Sequence, residues 1–196
     1  MASAETEITV LIADDDKNIR FSLNTILTQN GYRVIGQATN GAEALSLCRT
    51  KRPDLAILDI KMPIMSGIEA AKNITAENLC PCVVILTAFN DSESINLASQ
   101  TGIFGYITKP IEQDILLLDL EICLKKAAES AAVTENIREL QKRCQSHEIV
   151  SKAKLLIMEK RKCSEKEAFD LIRELSKRKR ASMEAIALGI IEKNDQ

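Results

Sequence analysis

Between residue 8 and about residue 110 the chain changes character five times in the same way: a short apolar run rich in β-branched residues gives way to a segment of helical period. The runs are ITVLIA (8–13), RVIGQA (33–38), DLAILD (54–59), CVVILT (82–87) and FGYIT (104–108). Strands that are apolar on both faces belong to sheets covered on both sides, and parallel strands need a helical crossover between them. The pattern predicts an α/β domain of five β/α units around a parallel sheet. Helices are expected near 17–29, 42–51, 67–77 and 92–101, the last opened by Asp91 as a cap, and from 111 onward.

Beyond Pro110 the pattern stops, and from Ile111 to Leu188 there is no Gly or Pro. The helix that starts near 111 is therefore expected to run on without a flexible linker. Ile115, Leu118 and Ile122 recur at 3–4 spacing, and Val133, Ile137, Leu140 and Cys144 resume it after an eleven-residue step. That spacing suits a dimeric coiled coil with a stutter over 111–146, although one amphipathic helix folded back on its own domain reads the same way. After about 147 three short helices are expected, from Ile149/Ala153/Leu156, Ala168/Leu171/Ile172/Leu175 and Met183/Ile186/Ala187/Ile190. Ser164 with Glu167 forms a capping box for the second, and Ser182 caps the third.

Composition narrows the class. No apolar stretch approaches the roughly 20 residues of a spanning helix and the opening run MASAETEI is acidic, so a cytoplasmic protein with no membrane contact is expected. Six cysteines, at 48, 80, 82, 123, 144 and 163, follow no zinc spacing and have one histidine to join them, so they read as reduced thiols. That histidine, His147, lies in a polar helical segment and reads as a surface residue. Charge is uneven: residues 147–196 hold 12 Lys and Arg against 9 Asp and Glu, and residues 1–146 hold 14 against 19. The tail's excess fits an anionic partner, and equally a solvated helical face.

In an open α/β sheet ligands bind at the carboxyl ends of the strands, where four polar signals converge. Asp14 and Asp15 follow the first strand, Asp59 ends the third, Thr87 ends the fourth and Lys109 follows the fifth. Carboxylates gathered in a small space repel one another, and a hard divalent cation with oxygen ligands, such as Mg²⁺, keeps them ionised. One carboxylate can then attack phosphorus to give an aspartyl phosphate, while a lysine and a hydroxyl neutralise the remaining oxygens. Asp59, Lys109 and Thr87 suit those three tasks. Each residue alone is equally well a helix cap, a turn former or a loop cation.

Asp14-Asp15, the stretch LDIKMPIMSG containing Asp59, Thr87-Ala88, and Tyr106 with Lys109-Pro110 together resemble the signature of response-regulator receiver domains. The resemblance covers about residues 6–124. It implies a doubly wound (βα)5 five-stranded parallel sheet, phosphorylation of Asp59 by a sensor histidine kinase, and Mg²⁺ held by Asp14, Asp15, Asp59 and the Lys61 backbone carbonyl. It also implies that Pro63 fixes the following loop and that Thr87 and Tyr106 form a switch pair re-shaping the surface around the fourth helix and fifth strand. Such a site is a stoichiometric phosphoacceptor, and the chain is read as a switch rather than an enzyme.

The tail resembles the ANTAR domain, an RNA-binding three-helix module of transcription antiterminators. The likeness rests on Ala153-Lys154, Met158-Glu159, Ser164 with Glu167-Ala168, Leu171, the basic run 177–180, and Met183 with Ile186-Ala187. It covers about residues 133–195. The expected organisation is a receiver domain over 1–124, a helix continuing as coiled coil over 111–146, and a small three-helix all-α module over 133–196. Lys160 and Arg161 (with Lys162), together with Lys177, Arg178, Lys179 and Arg180, form clusters suited to phosphate contacts. The macrodipole also favours cations at helix ends. Phe169 is the module's one aromatic residue, so base readout would rest on guanidinium planes and hydrogen bonds. The reading is an antiterminator that binds leader RNA hairpins as a phosphorylation-induced homodimer. The alternatives are a DNA-binding transcriptional response regulator and a tail used for protein docking alone.

Overall fold

The computed structural model of the chain describes residues 7–88 and 102–194. Contacts divide the chain into two compact units, Met1–Ala131 and Ala132–Gln196. The first contains β1 (Thr9–Ala13), α1 (Lys17–Gln29), β2 (Arg33–Ala38), α2 (Gly41–Lys51), β3 (Leu55–Asp59), α3 (Gly67–Ala76), β4 (Cys82–Ala88) and β5 (Gly105–Lys109). The helix expected near 92–101 and its cap Asp91 lie outside the described residues. α4 (Gln113–Arg161) starts in this unit and ends in the second.

All pairings in the sheet are parallel, in the order β2-β1-β3-β4-β5. Alternate residues of each strand face opposite sides, and both sides are covered. Leu11, Ala13, Ala56, Leu58, Val83 and Ile85 pack with Ala44, Ala70 and Ile74 of α2 and α3. Val10, Ile12, Leu55, Ile57, Val84 and Leu86 pack on the other side with Leu23 and Leu27 of α1 and Leu116 and Leu120 of α4. The helices start where polar caps allow: Asp16, Asn40 and Ser66 each accept a backbone N–H of the first turn. Burial pushes the thiol pKa of Cys48 and Cys82 up to about 12 and raises that of Cys80 as well, as expected of inert core thiols.

Along α4 the first turns carry one packed and one exposed apolar stripe. Leu116, Leu120, Cys123 and Ala127 pack against the sheet, whereas Ile115, Leu118 and Ile122 face outward. Val133, Ile137 and Leu140 remain exposed farther along.

The second unit departs from expectation in one respect. Its first helix is no separate element: α4 continues to Arg161, because nothing between 111 and 161 can break it. α5 (Glu165–Lys179) opens with the capping box of Ser164 and Glu167, and α6 (Met183–Glu192) opens on Ser182. The core is Ala153, Ile157, Ala168, Ile172, Ile186 and Ala187. The alanines at the contacts let three helices approach closely around few side chains. Lys162, which follows α4, and Arg180, which caps α5, take left-handed backbone conformations with φ of 49° and 51°.

Candidate functional site

Asp14, Asp59 and Thr87 are the buried polar or charged residues among those described, at 0%, 6% and 1% exposure. Strand register brings them together. Asp59 is level with Leu86, Thr87 lies one residue beyond it, and Ala88 pairs with Lys109 on β5. Asp14 leaves β1 directly after Ala13, which pairs with Leu58. The four positions therefore share the carboxyl edge of the sheet, where the strand order reverses direction around β1 and β3.

Lys109 Nζ donates to Asp14 Oδ2 at 2.7 Å and to Asp59 Oδ1 at 2.5 Å. The second oxygen of Asp59 accepts the Lys61 backbone N–H at 2.9 Å, and Asp14 Oδ1 accepts that of Asp16 at 2.9 Å. Asp15 is exposed at the mouth, and one carboxylate oxygen from each of Asp14, Asp15 and Asp59 lies within 4.8 Å of the others. Burial pushes the Asp59 carboxyl above its ordinary range, against Lys109, and the charge of Asp14 adds to the rise. Burial works to lower the Lys109 ammonium, but its contacts with Asp14 and Asp59 outweigh that and hold it above its usual value. The two shifts have different causes: loss of water raises Asp59, and the two neighbouring carboxylates raise Lys109. An all-oxygen donor set of this kind, open on one side to water, fits a hard divalent cation.

Thr87 Oγ1 donates to the Ala88 carbonyl at 3.1 Å. Tyr106 packs against the cluster of α2 and α3, and its buried hydroxyl has no hydrogen-bond partner among the described residues.

Two residues of the site were not among those expected. Arg20 Nη1 donates to the carbonyls of Asp14 at 2.7 Å and Asp15 at 3.1 Å, tying the acid loop to the first turn of α1. Helical side chains lean toward the N-terminus, which is the signal that could have found it. Gly67 carries its N–H to the Ile60 carbonyl, and a Cβ placed on it would stand 1.9 Å from the carbonyl oxygen of Asp59. Only glycine lets α3 start this close behind Asp59.

In the second unit Lys160, Arg161, Lys177, Arg178, Lys179 and Arg180 are all exposed, and none joins an ion pair among the described residues. Lys154, by contrast, is held by Glu165 at 2.5 Å. No described helix is long and apolar enough to cross a membrane.

Comparison with known proteins assigns both units. Residues 10–121 match the response regulator receiver domain and residues 138–191 match the ANTAR domain. The transcriptional regulatory protein PdtaR of Mycobacterium tuberculosis is 32% identical over 191 residues, which cover 97% of this chain and 93% of PdtaR. Among solved structures, the signal receiver domain of a modulated diguanylate cyclase from Desulfovibrio desulfuricans is similar, with a TM-score of 0.59 and 30% identity, over 63% of this chain and 98% of that one. CheY in a CheX-CheY-BeF3-Mg²⁺ complex from Borrelia burgdorferi aligns at a TM-score of 0.55 and 28% identity, over 58% of this chain and 86% of that one. An acid pocket at the carboxyl edge of a 2-1-3-4-5 sheet and a three-helix tail thus have one explanation: the chain belongs to the two-component response regulators, with a receiver domain followed by an ANTAR output domain.

Proposed function

We propose that the protein accepts a phosphoryl group on Asp59 from a sensor histidine kinase and, as a dimer, binds leader RNA hairpins through its ANTAR domain to prevent transcription termination. The observation that carries the reading is the contact of Lys109 with both Asp14 and Asp59 at the strand ends. There Asp59 is the nucleophile, and Lys109 stands where it can neutralise an oxygen of the incoming phosphoryl group. Asp14, Asp15, Asp59 and the Lys61 carbonyl would hold Mg²⁺, which supplies charge neutralisation to the phosphoryl oxygens. Mg²⁺ is also present in the similar CheY complex. Thr87 is the hydroxyl that follows the phosphoryl group, and Tyr106 the ring that moves with it. The added charge, nearly two units, falls beside a packed surface and biases it between two arrangements.

The exposed stripe Val133, Ile137 and Leu140, with Cys144, supports pairing of two α4 helices. Exposed cations at 160–161 and 177–180, outside any ion pair among the described residues, support a polyanionic ligand. Acetyl phosphate with Mg²⁺ should add one phosphoryl mass to the chain and none to Asp59→Asn. The phosphorylated form should double in mass by light scattering and bind hairpin RNA more tightly. An unchanged mass in both proteins ends the phosphoacceptor reading. One observation keeps DNA as an alternative ligand: α5 and α6 are joined by three residues, with Arg180 in the left-handed conformation often given to glycine in a helix-turn-helix. Filter binding of hairpin RNA and duplex DNA at matched salt separates the two.

A further inference from the structure

Resting on that RNA reading, we infer that a cleft inside the ANTAR domain seats one unstacked RNA base, with Asn194 on the base edge and Lys160, Arg161 and Lys193 on the phosphates around it. The cleft lies among the last turns of α4, the middle of α5 and the end of α6 and encloses about 250 Å³. Its walls are aliphatic: Leu156, Ile157, Leu171, Leu175 and Ile190. Its polar lining is Lys160, Arg161, Lys193 and Asn194, with no carboxylate among the lining residues. An apolar slot rimmed by cations alone is complementary to a flat ring carried on phosphates. Enzymes and binding proteins that take a base out of its stack hold it between apolar or aromatic side chains and read its edge by hydrogen bonds. The domain's one aromatic residue, Phe169, is exposed and does not line the cleft, so the aliphatic walls take the place of a stacking platform.

Asn194 is set for readout by its backbone, whose N–H donates to the Ile191 carbonyl at 2.9 Å and fixes the residue at the helix end. A carboxamide presents one acceptor and one donor side by side, the complement of the N6 and N7 edge of adenine. The two basic groups then do different work. Lys160 and Arg161 border the cleft, whereas 177–180 do not line it and act as sequence-independent phosphate contacts.

The test is fluorescence anisotropy of the 196-residue chain with labelled hexa-adenylate and hexa-uridylate RNA, with a labelled duplex DNA and with a labelled hexaglutamate peptide, at one low salt concentration. Wild-type protein should prefer adenylate. Asn194→Ala, which keeps the backbone hydrogen bond to the Ile191 carbonyl, should weaken adenylate binding by about 10- to 100-fold, the range of a lost bidentate base contact, and leave uridylate nearly unchanged, with the helical circular dichroism retained. Leu175→Phe, which narrows the slot, should remove the adenylate preference with the helical circular dichroism retained. Neutralising 177–180 should weaken both RNAs alike. Equal adenylate binding by wild type and Asn194→Ala overturns the cleft assignment while RNA binding itself stands. Hexaglutamate bound as tightly as adenylate assigns the slot to an acidic peptide and overturns it too. A wild-type chain that binds duplex DNA and neither RNA overturns the RNA reading, and this inference with it.

Discussion

Replacing Lys109 with methionine keeps an unbranched apolar stem and removes the only cation that, among the described residues, pairs with the buried carboxylates. Its ammonium is shared between Asp14 and Asp59, whose side chains are 0% and 9% exposed, with the lysine side chain at 22%. Removing one member of a buried ion pair costs about 3–5 kcal/mol, because the charge left behind is neither hydrated nor paired. Against a domain stability of about 5–15 kcal/mol, that is a large share. With a urea dependence of about 1–3 kcal/mol per molar, the unfolding midpoint in EDTA should fall by about 2 M. A divalent cation bound by the same acids should restore part of the loss: at a hundred times its dissociation constant a ligand contributes about 2.7 kcal/mol. Urea titrations followed by circular dichroism, in EDTA and in excess Mg²⁺, measure both quantities. A midpoint for Lys109→Met within about 0.3 M of wild type in EDTA would refute the placement of the ammonium between two desolvated carboxylates.

Asp59→Asn should stabilise the metal-free protein at neutral pH. Burial raises the Asp59 carboxyl, so the folded state binds its proton more tightly than the unfolded state and stability is lost as pH rises through the folded pKa. The advantage of Asn should be absent below the ordinary aspartate value of about 3.9 and full at pH 7, as read by urea unfolding at the two pH values. Gly67→Ala should cost about 1–3 kcal/mol and slow phosphorylation by acetyl phosphate, since its Cβ meets the Asp59 backbone oxygen and cannot rotate away. Oxidation of the phosphorylated protein should cross-link two chains through exposed Cys144 if α4 pairs in register. Cys144→Ser should abolish the product on a non-reducing gel, and a cross-link formed equally well by Cys144→Ser would count against that register.

The sheet was legible because its strands carry their burial in their composition. Runs apolar on both faces were placed within a residue of β1 to β5, and caps such as Ser164 and Ser182 marked α5 and α6 as firmly. The acid cluster was legible for a related reason: strand ends are where a parallel sheet exposes side chains to a common crevice. Three things were hidden. α4 carries two apolar stripes one residue apart, and periodicity alone does not say that Leu116 and Leu120 rather than Ile115 and Leu118 meet the sheet. Arg20 acts through backbone carbonyls, which leave no trace in residue identity. Lys193 and Asn194 fall outside every apolar period, and only the fold of α6 brings them beside the turns of α4 and α5.

Lys162 and Arg180 stop their helices in a backbone conformation that L-residues resist by about 1–2 kcal/mol and that glycine adopts freely. Glycine at either place would make the module fold more readily and strip a positive charge from its exposed surface. On the proposed RNA-binding reading, ease of folding and grip on the ligand are thus opposed at the same two positions.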